Sequence, residues 1–110
     1  MKKSLKRVYL MRIMQVVALL SDLFFIAKIR DELKGKEVKF CSSLNEIPDK
    51  FDYLLVHLQH KDAFKTIEKY KDECICFGFH TSEEFMKAKK ICKNVYPNSV
   101  FFKRLHELIK

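Results

Sequence analysis

The chain has 110 residues, enough for one domain with a single core and few insertions. Hydrophobic residues make up 48% and charged residues 33%, which excludes a disordered or fibrous chain and fits a globular one. The formal charge of +8 argues less for nucleic acid than it first suggests, because it is unevenly placed. Lys2, Lys3, Lys6, Arg7 and Arg12 stand in the first twelve residues without an acid, while the other 98 hold 17 basic and 14 acidic residues.

Residues 1–12 are accordingly expected to be a basic N-terminal extension, and residues 13–110 the folded domain. The extension runs into an apolar stretch, Val8–Leu20, and so resembles a signal peptide. Arg12 and Gln15 interrupt that stretch, no small-x-small cleavage site precedes Ser21, and the length is short of a bilayer span. Met11 or Met14 would serve as an alternative start. The expectation is a cytoplasmic protein with no membrane partner.

In chain order, Ile13–Leu20 (IMQVVALL) reads as the first strand. Ser21 is placed to cap a helix whose Leu23, Ile26, Ala27, Ile29 and Leu33 fall at helical spacing. Gly35 is placed to stop it, with Lys28, Arg30, Asp31 and Glu32 outside. Glu37–Cys41 alternates with period two, as in a half-covered strand near a sheet edge. Ser43 and Glu46 suit one helical turn ended before Pro48. Tyr53–Leu58 is an apolar run interrupted only by His57, short enough to be a strand buried on both faces.

Ala63, Phe64, Ile67 and Tyr70 mark an amphipathic helix across Lys61–Lys71, and Glu73–Phe79 (ECICFGF) is a second doubly buried strand. Thr81 or Ser82 caps a helix with Phe85, Ala88, Ile91 and Cys92 inside. Asn94–Tyr96 is a brief fifth strand, and Pro97 leads into a last helix carrying Phe101, Leu105, Leu108 and Ile109. Alternating strands and helices at this density predict parallel pairing through right-handed crossovers, giving a three-layer α/β/α sandwich. The four cysteines, Cys41, Cys74, Cys76 and Cys92, lack the C-x-x-C spacing of zinc or redox sites. They are expected to be buried free thiols, with Cys74 and Cys76 on opposite faces of their strand.

Ligands of open α/β sheets gather at the C-terminal ends of the strands. Ser21-Asp22, His57–His60, Gly78–Thr81 and Tyr96–Ser99 are predicted to meet there. On these residues the chain from Ile13 to Ile109 resembles the receiver domains of two-component response regulators, which are flavodoxin-like with strand order 2-1-3-4-5. SDLFF (21–25), GFH (78–80) and NSVFFKRL (98–105) are similar to a receiver-like subgroup reading DDLFF, GF-x-x-H and RS-x-F-x-x-L. In that family an acidic pair after the first strand binds magnesium, an aspartate ending the third strand accepts the phosphoryl group, and a lysine after the fifth contacts it. Here Ser21-Asp22, His57 and Ser99 fall at those places, with Gly78 ending the fourth strand.

Phosphoryl transfer needs a divalent ion held by carboxylates and a cation for the developing charge. One aspartate, an imidazole and a serine do not supply them. The resemblance therefore implies an atypical receiver that is not an enzyme, with His57 as an imidazole hydrogen-bonded to the loop after the first strand. The alternative is a transition-metal centre built from Asp22, His57, His60 and His80, whose donors suit zinc or nickel. Only Gly35 and Gly78 are glycines and no Gly-rich phosphate loop is present, so no nucleotide cofactor is expected.

The resemblance also points to the surface of the fourth helix, fifth strand and last helix as the place where partners dock. It would carry Lys87, Lys89, Lys90, Lys93, Tyr96, Phe102, Lys103 and Arg104, suited to an acidic protein partner or to self-association. Phe101 and Phe102 are adjacent, so one of them is expected to be at least partly exposed. Nucleic acid, bound through the basic extension, is the competing partner, without a helix-turn-helix or RNA-stacking motif to support it.

Overall fold

The computed structural model describes residues 14–109, so the basic extension at residues 1–12 lies outside the described residues. Five strands run in chain order as β1 (Val16–Leu19), β2 (Val38–Cys41), β3 (Tyr53–His57), β4 (Cys74–Gly78) and β5 (Val95–Pro97). Among the described residues four helices connect or follow them: α1 (Leu23–Glu32), α2 (Ala63–Tyr70), α3 (Glu83–Ile91) and α4 (Asn98–Leu108). Every neighbouring pair is parallel and the order is β2-β1-β3-β4-β5, a flavodoxin-like sheet. No helix among the described residues is long and apolar enough to cross a membrane.

Two cores follow from strand alternation, one on each face of the sheet. Val17, Leu19, Leu54, Val56, Cys74 and Cys76 face α2 and α3, where Ala63, Ile67, Phe85 and Ala88 meet them. Val16, Ala18, Leu55, Ile75 and Phe77 face α1 and α4, against Ile29, Leu33, Phe101, Phe102 and Leu105. The three central strands are thus covered on both sides, which explains their unbroken apolar runs. β2 lies at the edge with only Cys41 fully buried, as its alternation predicts. Its crossover to β3 carries a single 3-10 turn, Leu44–Glu46, in place of a helix.

Several local expectations are corrected. Cys74 and Cys76 share one face and one core, because residues two apart on a strand point the same way. Phe101 and Phe102 are both buried, at 0% and 6% exposure. The first faces the sheet and the second turns sideways into the seam with α1, where its ring centroid lies 5.2 Å from that of Phe25. Leu23, expected on the inner stripe of α1, is 80% exposed, and Ile91, expected inside α3, is also exposed. Asp22 rather than Ser21 caps α1, its Oδ1 accepting the Phe25 N–H at 3.1 Å. Gly35 has φ +86 in a turn closed by Lys36 N–H on the Leu33 carbonyl at 3.0 Å, a conformation glycine adopts without strain.

Candidate functional site

The register brings β1, β3 and β4 to a common C-terminal rim, with His57 opposite Phe77. Where strands end together, each following loop starts within reach of its neighbours, and side-chain hydrogen bonds tie these loops to one another. His60 Nδ1 accepts the Asp62 N–H at 2.9 Å, which puts the ring proton on Nε2. That nitrogen then donates to the Ser42 carbonyl at 2.9 Å. Asp62 Oδ2 accepts from Leu44 N at 3.0 Å, and this bond holds the Asp62 carboxyl below the usual carboxylate range. Farther along, Gln59 Nε2 donates to Ser82 Oγ at 3.2 Å, and Ser82 caps α3 by accepting from Phe85 N at 3.1 Å.

Gly78 belongs to this closure. A Cβ there would stand 3.0 Å from Leu58 Cβ and 3.0 Å from Gln59 Oε1, so the loop after β3 closes tightly over the glycine and a side chain would push it outward. The steric need for a small residue was not visible in the sequence, since the clash is with a different strand's loop.

Ser21, Asp22, His57, Gln59, His60 and Lys61 line a cleft of about 370 Å³. Three of the four candidate ligands therefore meet, but His60 has no nitrogen left for a metal and Asp22 is turned to its helix. Both His60 nitrogens are hydrogen-bonded and Asp22 caps its helix. His80 is exposed on the loop after β4 and is not among the cleft residues. No group of three or more His, Cys, Asp or Glu among the described residues is arranged to hold a metal ion. Ser99 is exposed in the first turn of α4 and also lies outside the cleft. Lys61, expected at the start of α2, instead precedes the helix and lines the cleft as a rim cation.

His57 forms the cleft's floor and the edge of an aromatic cluster. It is 7% exposed, stacks on Phe77 (centroids 5.0 Å apart, planes at 16°) and meets Phe25 edge-on at 5.2 Å and 83°. Phe77 in turn stacks on Phe101 at 4.1 Å and meets Phe102 at 5.7 Å. The expected hydrogen bond from His57 to the loop after β1 is not formed: Nε2 is buried without a partner among the described residues. Desolvation by this apolar surround pushes the imidazole pKa below its ordinary value, outweighing the opposing pull of the Asp22 carboxylate. Asn98, one turn before the two phenylalanines, also buries its amide atoms unpaired. The sequence signal for the cluster was the FF pairs at 24–25 and 101–102, whose side-chain directions only packing settles.

On the far side of α4 the basic surface is present with altered membership. Lys90, Lys93 and Lys103 are exposed and make no ion pair among the described residues, whereas Lys87 turns toward α2, its Nζ 4.7 Å over the Phe64 ring. Arg104 pairs with Glu107 at 3.5 Å and lies 5.8 Å over the half-buried Tyr96 ring. Phe102 is not part of this surface, being covered by α1 with Lys28 Nζ 4.7 Å from its ring. Met86, Ile91 and Val100 are the exposed apolar residues there. Comparison with protein-family models, curated proteins and solved structures finds no match.

Proposed function

We propose that the protein is a receiver-like signalling module that works by binding another protein and does not accept a phosphoryl group at its sheet rim. The aromatic packing of His57 among Phe25, Phe77 and their neighbours is the observation that carries this reading. Phosphoryl transfer draws on charge: carboxylates for a divalent ion, a nucleophile, and a cation for the moving phosphate. In the cleft the one aspartate caps a helix, burial pushes the imidazole pKa below its ordinary value, and rings fill the space beneath it. Lys61 supplies a cation, yet without a second carboxylate the ion-binding half of the machinery is missing.

A rim without that chemistry leaves recognition to the surface. The surface of α3, β5 and α4 carries Lys90, Lys93 and Lys103, and its two helices expose Met86, Ile91 and Val100. Unpaired cations around apolar contacts suit an acidic protein partner, the charges steering encounter and the apolar groups supplying affinity. Self-association through this face would have to overcome like-charge repulsion, so a second protein is favoured.

The test is incubation with acetyl phosphate and magnesium, read by intact mass and by amide spectra. Both should stay unchanged. A stable phospho-adduct, at His57 or elsewhere on the rim, would overturn the proposal.

A further inference from the structure

The chain has ten phenylalanines, all among the described residues, and only two of them are exposed: Phe24 at 67% and Phe79 at 57%. Both stand at the C-terminal rim of the sheet, as does Leu23, exposed at 80%. Leu23 and Phe24 open α1 after the short loop from β1, and Phe79 is the first residue beyond β4. Only β3 separates those two strands, so their ends lie about 10 Å apart, on either side of His57. The exposed groups continue the buried aromatic cluster outward. Phe24 lies 5.8 Å from Phe25, and Phe25 lies 6.1 Å from Phe77, two residues before Phe79. Apolar side chains gathered in one place, rather than scattered singly, mark a contact surface.

We propose that this rim is the face through which two copies of the chain pair about a two-fold axis. The surrounding charges suit a like partner. Asp22, Glu83 and Glu84 stand exposed there together with Lys61 and with Lys28, whose Nζ lies 5.7 Å from the Phe24 ring. In an isologous contact the same patch meets itself, so a patch bearing both signs can set the acids of one copy against the lysines of the other. The surface of α3, β5 and α4, with Lys90, Lys93 and Lys103, lacks that balance and stays free for an acidic partner.

The area available is that of a dimer interface. A phenylalanine side chain carries roughly 150–250 Å², so Phe24, Phe79 and Leu23 together offer on the order of 400 Å² per copy. A stable pair covers about 800 Å² on each side, a little over half of it apolar. These three residues therefore supply most of the apolar centre, and the charged residues form its border. Pairing here is independent of the docking proposed above, because the two use different surfaces.

The experiment is sedimentation velocity of the full chain over a wide range of concentration, joined to amide spectra on dilution. A monomer–dimer equilibrium should appear, and the concentration-dependent amide shifts should gather at Leu23–Phe25 and at residues 79–81. Phe24→Asp and Phe79→Asp should each weaken association at least about 30-fold, since each change enters the interface twice. Both side chains are exposed, so the variants should melt at nearly the temperature of the unsubstituted protein. Replacing Lys90, Lys93 and Lys103 together by Glu should leave the dimer intact, as should removal of residues 1–12. A monomer at every concentration would overturn the proposal and assign the patch to a different protein. A dimer that tolerates both Asp substitutions, that is lost with the three lysines or with residues 1–12, or whose shifts fall on α3, β5 and α4 would overturn it equally.

Discussion

At His57, desolvation has a consequence for stability in acid. The folded-state pKa is depressed, so below about pH 6.5 the unfolded chain binds a proton that the folded imidazole does not. The contribution of this residue to stability is therefore whole near neutrality and shrinks as pH falls, levelling off once the folded imidazole also protonates. Thermal unfolding between pH 8 and pH 5 should show this loss, and His57→Phe should reduce it while keeping the stack on Phe77. Equal acid sensitivity in both proteins would place the effect elsewhere. Gly78 gives a second residue-scale outcome. Gly78→Ala places a methyl 3.0 Å from Leu58 Cβ, an overpacking that should cost about 1–3 kcal/mol in urea denaturation. Both residues were picked out by their position at strand ends. Their actual roles, an aromatic stack and a steric vacancy, depend on Phe25 and Phe77 for the first and on Leu58 and Gln59 for the second, each on a different element from the residue it contacts.

Among the elements, α1 is where local pattern was least informative. Its first turns read Leu23, Phe24, Phe25, Ile26 and Ala27, apolar around the whole circumference, so periodicity could not choose the buried side. Packing against α4 chose Phe25, Ile26 and Ile29, leaving Leu23 and Phe24 exposed at 80% and 67%. The cap was ambiguous for the same reason, Ser21 and Asp22 both being favoured residue types. Asp22→Ala should lower stability by about 1 kcal/mol, with Asp22→Asn keeping most of it. Ser21→Ala should change it by no more than about 0.5 kcal/mol. Comparable losses at both positions would mean that the cap is shared. By contrast the buried Ala63 and Ile67 of α2 and Phe85 and Ala88 of α3 are those expected from spacing, while Thr66 is buried as well, its hydroxyl donating to the Asp62 carbonyl, and Ile91 is exposed.

For the molecule as a whole, charge and topology separate cleanly. The first twelve residues carry five of the 22 basic side chains and no acid. Removing them should abolish most salt-dependent binding to duplex DNA in a titration read by anisotropy, because that binding scales with the phosphates neutralised. Binding that survived the truncation would point to the lysines of α3 and α4. The alternating arrangement of apolar runs determined in advance the parallel five-stranded sheet, its doubly buried centre and its half-covered edge at β2. Those features follow from burial period, which is a property of neighbouring residues. Where Phe102 turns, which thiols share a core, how closely Gly78 approaches Leu58 and which rim loops His60 ties together were decided only by tertiary structure. Each depends on a contact between segments far apart in the chain, and no local periodicity encodes the direction from which such a neighbour arrives.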